Sequence, residues 1–260
     1  MMRKHFEVFI FFGVLFLGFT GCGNQGAGES QTPQVKTETP IESATSLPLS
    51  QETGGLKGKI SFVGTAPEAA VIQTGADPVC SSLAGGLKSE ELVVTSGALQ
   101  NVFVYIKTGL EGRTFPVPAE PVMLNQSGCH YVPHVAGVQV NQALRIMNSD
   151  TTLHNVHAMA KASKEFNLGM PLQGMKMDKK FTAQEVMVHF KCDVHPWMSA
   201  YLGVLTHPFF AVSAADGSFE IKNIPAGQYT LAFWHEKLGE KEVQVQVLAN
   251  QDTSADISFS

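Results

Sequence analysis

From Leu56 onward the apolar residues of this chain fall in short runs rich in β-branched and aromatic side chains, with no long segment of 3.6-residue period. Lys59–Val63, Leu92–Thr95, Val102–Ile106, Leu144–Met147, Val186–Phe190 and Tyr229–Trp234 read as strands. Val243–Val247 alternates apolar and polar residues, so one of its faces meets water. Gly64-Thr65-Ala66-Pro67, Asp216-Gly217-Ser218 and Pro225-Ala226-Gly227 supply turns between the runs. The pattern predicts an all-β sandwich or barrel. Residues 64–90 lack a clear pattern, and no element is assigned to them.

Composition narrows the function classes. With 260 residues the chain has room for one large domain or two small ones, and 44% apolar residues exclude wholesale disorder. A net charge of −5 offers no basic excess for phosphates, which argues against nucleic acid as a partner. Four cysteines are too few for a disulfide-dense mini-protein, so each must be explained individually.

The first 21 residues read as an export signal. Arg3 and Lys4 precede Val8–Phe19, twelve residues without a charge, whereas a membrane-spanning helix needs about 20. Thr20-Gly21-Cys22 follows and resembles a bacterial lipobox, with Phe19 where Leu is usual. The resemblance implies that Cys22 is lipidated and becomes the first residue, anchored in a bilayer by several acyl chains. Gly23 at the next position implies, in a Gram-negative cell, the outer membrane, with the protein facing the periplasm. Residues 22–54 hold this cysteine and a Ser-, Thr-, Gln-, Glu- and Pro-rich stretch without aromatics, a disordered tether reaching roughly 30 Å as a flexible coil.

The chemistry concentrates in Val186–Met198. Alternation along a strand puts Val186, Val188, Phe190 and Cys192 on one face and His189 on the other. A short loop then brings His195 and Met198 back over Cys192. A thiolate, an imidazole and a thioether within seven residues form a soft nitrogen-and-sulfur set suited to copper. A second imidazole is available from His154, 38 residues before Cys192 and after the strand Leu144–Met147. His157, three residues further along an extended segment, faces the opposite way.

These residues resemble the cupredoxin family of type 1 (blue) copper proteins. The Cys192-x2-His195-x2-Met198 loop is similar to the short ligand loop of amicyanin, and His154-Asn155-Val156 resembles the family's segment at its first ligand. Met170-Pro171 through Met177, Phe181 and the strand before Cys192 run in parallel with it. The resemblance covers residues 136–205 well and 55–135 loosely. It implies a Greek-key β-sandwich with one copper held by His154, Cys192, His195 and Met198. It also implies that Asn155 ties the first-ligand loop to the cysteine loop. The ring edge of His195 would reach the surface, rimmed by Pro196 and Trp197, where a redox partner such as a cytochrome docks. A zinc site would rarely take Met.

Cys80 and Cys129 remain, an even pair in an oxidising compartment and hence a disulfide. The rival use of Cys129 is a second metal site with His130 and His134. His189, His207 and His235 read as ordinary structural histidines, and the dispersed methionines as core. Residues 215–231 resemble half of a carboxypeptidase regulatory-like (transthyretin-like) β-sandwich, an accessory module without catalytic residues. Two arrangements stay open in the sequence: a separate C-terminal module, or one whose first strands come from residues 58–64 and 102–106, with the copper-binding part inserted or sharing a sheet. The expected organisation is a signal over 1–21, a tether over 22–54, a copper-binding domain over 55–207 and a β module over 208–260. The expected function is single-electron transfer, without enzymatic activity. The alternatives are copper delivery or storage without redox cycling, or an interaction module. A nitrite-reductase-like enzyme would need further histidines for a second copper, and a dinuclear copper centre would need a second cysteine in the loop.

Overall fold

The computed structural model describes residues 52–75, 77–83 and 86–260. The signal segment, Cys22 and most of the tether lie outside them. Among the described residues, no helix is long and apolar enough to cross a membrane. The first element among the described residues is β1 (Thr53–Phe62), so Thr53 and Gly54, assigned to the tether from the sequence, lie in a strand. Helix α1 (Pro78–Leu83) follows, then β2 (Val94–Thr95), β3 (Ala98–Leu99) and β4 (Phe103–Thr108). Next come β5 (Val122–Gln126), β6 (Tyr131–Val132), β7 (Val135–Gln139), β8 (Leu144–Asn148) and β9 (His154–Ala158). They are followed by β10 (Phe166–Met170), β11 (Lys176–Lys179), β12 (Glu185–Lys191) and β13 (Ser199–Leu205). The last strands are β14 (Phe210–Val212), β15 (Ser218–Pro225), β16 (Gly227–His235), β17 (Gly239–Val247), β18 (Asp252–Ser254) and β19 (Ile257–Phe259).

The architecture is all-β, with two sandwiches. One pairs the sheet β10-β9-β12-β13-β7 with the sheet β11-β8-β5-β6. Its core is built from alternate residues of facing strands, among them Leu144, Ile146, Val156, Val188, Phe190 and Leu202. The other pairs β15-β1-β3-β2, with β18 and β19 also bonded to β1, against β14-β4-β16-β17. Leu56, Ile60, Val104, Ile106, Ile221, Leu231 and Phe233 fill its centre.

The pairings do not divide at 207/208. β1 and β4 hydrogen-bond to C-terminal strands, Thr53 opposite Pro225 and Tyr105 opposite Ala232. The sandwich of β5–β13 is therefore inserted between β4 and β14 of the other, and β15 and β16 pair with β1 and β4. A third cluster joins the two: Phe103, Tyr105, Val135, Leu205 and Ala232, with Tyr201, Phe210 and Trp234 packed around them. Two glycines opposite each other on β7 and β13 permit this contact. A Cβ on Gly203 would stand 2.2 Å from the Phe103 ring, and one on Gly137 2.3 Å from the Phe210 ring. The aromatic rings of one sandwich thus lie on bare backbone of the other.

Two local expectations change. Leu92 and Val93 precede β2, which holds only Val94 and Thr95. Val186 does not share the inward face of Val188, Phe190 and Cys192. The β12–β13 register shifts between Glu185 and Val188, and this irregularity turns Val186 toward the cluster between the sandwiches.

Candidate metal centre

Strand β12 delivers Cys192 at its C-terminal end, and β9 runs antiparallel beside it, Phe190 opposite Ala158 and Lys191 opposite His157. That register carries His154, at the start of β9, past the end of β12 and beside the loop after Cys192. The loop closes on itself. Met198 N–H donates to His195 O at 2.9 Å and Cys192 N–H to Met198 O at 3.3 Å. His195 is thereby returned over the thiol.

His154, Cys192 and His195 form one buried cluster, each offering a ligand atom within 4.8 Å of the others. The two Nδ1 atoms are 2.8 Å apart, and Cys192 Sγ is 3.9 Å from His195 Nδ1. Met198 is fully buried in the same core cluster as Cys192. The backbone N–H groups of Asn155 and His195 donate to Sγ at 3.4 and 3.3 Å. Burial works against a thiolate, but the bond from His154 and these amides outweigh it, and the Cys192 pKa is lowered. Burial likewise opposes the charge of His154, yet Asp150 and Cys192 raise its pKa to about 9. Both shifts run toward a sulfur that gives up its proton more easily and an imidazole that keeps one, so a metal ion bound there would compete with a proton.

Asn155 ties two segments together. Its Oδ1 accepts from the Asp193 N–H, and from the Val194 N–H at 3.4 Å, while its Nδ2 donates to Asn167. Tyr131, whose value sequence reasoning missed, donates its hydroxyl to Asn155 O at 2.6 Å and to Lys191 O at 3.0 Å, clamping the ends of β9 and β12.

His195 departs from expectation. Its side chain is only 2% exposed, so its ring edge is not at the surface. The cover comes from the unpatterned 64–90 segment: Asp77 Oδ2 lies 3.1 Å and Cys80 Sγ 3.6 Å from His195 Nε2. Cys80 and Cys129 form a disulfide with Cα atoms 5.6 Å apart, which fastens that segment beside the Cys192–Met198 loop. Trp197 is half-buried and donates Nε1–H to Cys129 O at 3.0 Å, while Pro196 is exposed.

Among the described residues, His130 and His134 do not assemble a second metal site with Cys129. His130 Nδ1 contacts Gly128 O, and His134 faces Ser199 O and Glu236, with Cys129 consumed in the disulfide. His157 lies on the outer side of β9, held by Asp193 at 3.1 Å and Glu165 at 2.6 Å. His207 donates Nε2–H to Ile106 O and accepts the Phe209 N–H at Nδ1, and burial holds its pKa down to about 4. His189 stacks on Tyr201, and His235 Nδ1 accepts from Lys237 N–H.

No known family model matches the chain, and no curated protein does. Solved structures with partial likeness include a copper-containing nitrite reductase from Thermus scotoductus SA-01. The two are 19% identical at TM-score 0.32, over 37% of this chain and 26% of the reductase, so the match spans about a quarter of that protein. An amicyanin variant in its Cu(I) form is 20% identical at TM-score 0.30, over 39% of this chain and 97% of its own. A purple cupredoxin from Nitrosopumilus maritimus is 20% identical at TM-score 0.27, over 32% and 98%. The functional reading rests on the donor set itself.

The position of His157 gives a direct check. His157→Ala should leave copper binding and colour unchanged, because its ring is directed to Asp193 and Glu165. His154→Ala should abolish the visible band, read by absorption after Cu(II) addition.

Proposed function

We propose that this chain is a lipid-anchored, extracytoplasmic type 1 copper protein that passes single electrons between redox partners. The observation that carries the reading is the buried convergence of His154, Cys192 and His195, with Met198 closing the same loop. The donors fit copper: two imidazoles, one thiolate favoured by its surroundings and one thioether form a soft set that zinc rarely takes. When bound, copper supplies a one-electron couple between Cu(II) and Cu(I).

The chain's own part is to hold those donors still. Cys192 Sγ receives two backbone N–H groups, and Asn155 and Tyr131 lock the strands that bear the ligands. Donors held this way move little when the charge at their centre changes, which favours rapid exchange. Burial excludes water from the thiolate and protects it from oxidation. Because His195 is covered, a redox partner is proposed to meet the face formed by exposed Pro196 and half-buried Trp197, whose ring centroid is 5.0 Å from that of His195. The acidic net charge would favour a basic partner such as a cytochrome. Cys22 would supply the bilayer anchor, with the protein on the outer membrane of a Gram-negative cell. The second sandwich would be an accessory module of the carboxypeptidase regulatory-like kind.

The test is Cu(II) titration of residues 49–260, which form one compact unit. One equivalent should produce an intense thiolate-to-copper band that bleaches on reduction and returns on oxidation. Bound copper without that band would refute the type 1 site. A band that forms but does not cycle would instead support storage or delivery.

A further inference from the structure

The distal nitrogens of the two ligand histidines are both held by carboxylates. Asp150 Oδ2 lies 2.9 Å from His154 Nε2, and Asp77 Oδ2 lies 3.1 Å from His195 Nε2. The Nδ1 atoms face each other at 2.8 Å inside the cluster, so each carboxylate stands behind its imidazole as seen from the donor set. An Nε2–H directed at a carboxylate fixes the tautomer and leaves the Nδ1 lone pair for a metal.

Both carboxylates are themselves built in. Asp77 Oδ1 accepts the N–H groups of Val79 at 2.8 Å and Cys80 at 3.0 Å, while its Oδ2 also accepts the Thr152 hydroxyl at 2.9 Å. Asp150 Oδ1 accepts the Gly128 N–H at 2.8 Å, and its Oδ2 accepts the Cys129 N–H at 2.8 Å. Each aspartate thus grips the backbone of one half-cystine with the same carboxylate that meets one imidazole, and the Cys80–Cys129 bond joins the two assemblies. Their side chains are 19% and 4% exposed, so solvent screens the Asp150 charge little and that of Asp77 more.

We propose that Asp77 and Asp150 are positioning residues for the copper site, each orienting one ligand imidazole and placing a negative charge behind it that favours Cu(II) over Cu(I). The proposal rests on the type 1 copper reading. A carboxylate hydrogen-bonded to the distal nitrogen makes the imidazole a stronger donor, and two negative charges, that of Asp150 buried and that of Asp77 half-buried, stabilise the more positive ion. The net effect is a lower midpoint potential than the same four ligands would have behind neutral groups. His195 is also denied the solvent that would otherwise reach its Nε2.

The test is a spectroelectrochemical titration of the thiolate-to-copper band in the full chain. Asp77→Asn and Asp150→Asn each keep the side chain's size and one acceptor while removing the charge. Each should shift the midpoint potential upward with the band retained, and the double variant should shift it further. Asp77→Glu restores the charge and should return the midpoint toward the parent value. A merely structural role would lower the melting temperature and leave the midpoint of the remaining coloured protein where it was. An unchanged or lowered midpoint in the Asn variants, with the band intact, overturns the proposal. If Asp150→Asn fails to fold, Asp77→Asn on the covering segment decides alone. A parent chain that binds copper without the band overturns the copper reading, and this proposal with it.

Discussion

Cys192→Ser should give a folded protein that shows no thiolate-to-copper band at any copper concentration. Sγ is the only free thiol among the described residues, since Cys80 and Cys129 are bonded to each other. Serine keeps the size and hydrogen-bonding capacity that the site requires. Its Oγ can accept the N–H groups of Asn155 and His195 that now reach the sulfur. Burying a hydroxyl there with partners available costs about 1–2 kcal/mol, a fraction of a domain's roughly 5–15 kcal/mol. An alkoxide does not form at neutral pH, and a hydroxyl is a hard, weak donor without the covalency that makes a thiolate–copper bond absorb in the visible. His154 and His195 remain able to bind Cu(II) weakly through nitrogen. The measurement is visible absorption alongside copper analysis and a melting curve. An intense band persisting in the folded variant would show that another sulfur holds the metal and would displace Cys192 from the site.

The part of this centre legible in the sequence is the part made by neighbours along the chain. Cys192, His195 and Met198 sit within one tight loop, and the alternation of Val188, Phe190 and Cys192 follows from the two-residue period of a strand. His154 could be proposed because Asn155 and Val156 follow it, but its approach to Cys192 depends on the antiparallel register of β9 against β12, a non-local property. Val186 shows the limit of pattern: a register shift at the start of β12 reverses its face without any marker in composition. Asp150 stood in plain sight four residues before His154, and an acid at that spacing next to a ligand histidine was the available signal. Asp77 had no such signal. It lies in a segment without periodicity, more than a hundred residues from His195, and is brought there by a disulfide rather than by a strand. The insertion of one sandwich into the other was open for the same reason: which strands pair across residues 122–205 is decided by tertiary contacts such as the Phe103 ring on Gly203.

Removing the disulfide should have the largest effect on stability. The Cys80→Ser/Cys129→Ser variant opens a link across 49 residues, and in the chain-entropy picture the unfolded state gains freedom worth roughly 4 kcal/mol. The loss is concentrated where the structure has little else to hold the chain. Among its described residues, the segment around α1 contributes a six-residue helix and one isolated bridge, Val71 to Lys88, with no long strand of its own. Its other attachments near the centre are Asp77 to Thr152 and His195, which depend on the segment staying in place. Without the crosslink the cover over His195 should detach well below the temperature at which the sandwiches melt, because their cores are built from other residues. Two readouts separate these events. The urea or thermal midpoint should fall by an amount corresponding to a few kcal/mol. Copper should pass to an external chelator faster in the variant at temperatures where circular dichroism shows both sandwiches intact, since solvent and chelator then reach His195. A variant with parental stability and parental chelator kinetics would mean that the segment is held by contacts other than the disulfide, and that the covering of His195 does not depend on Cys80 and Cys129.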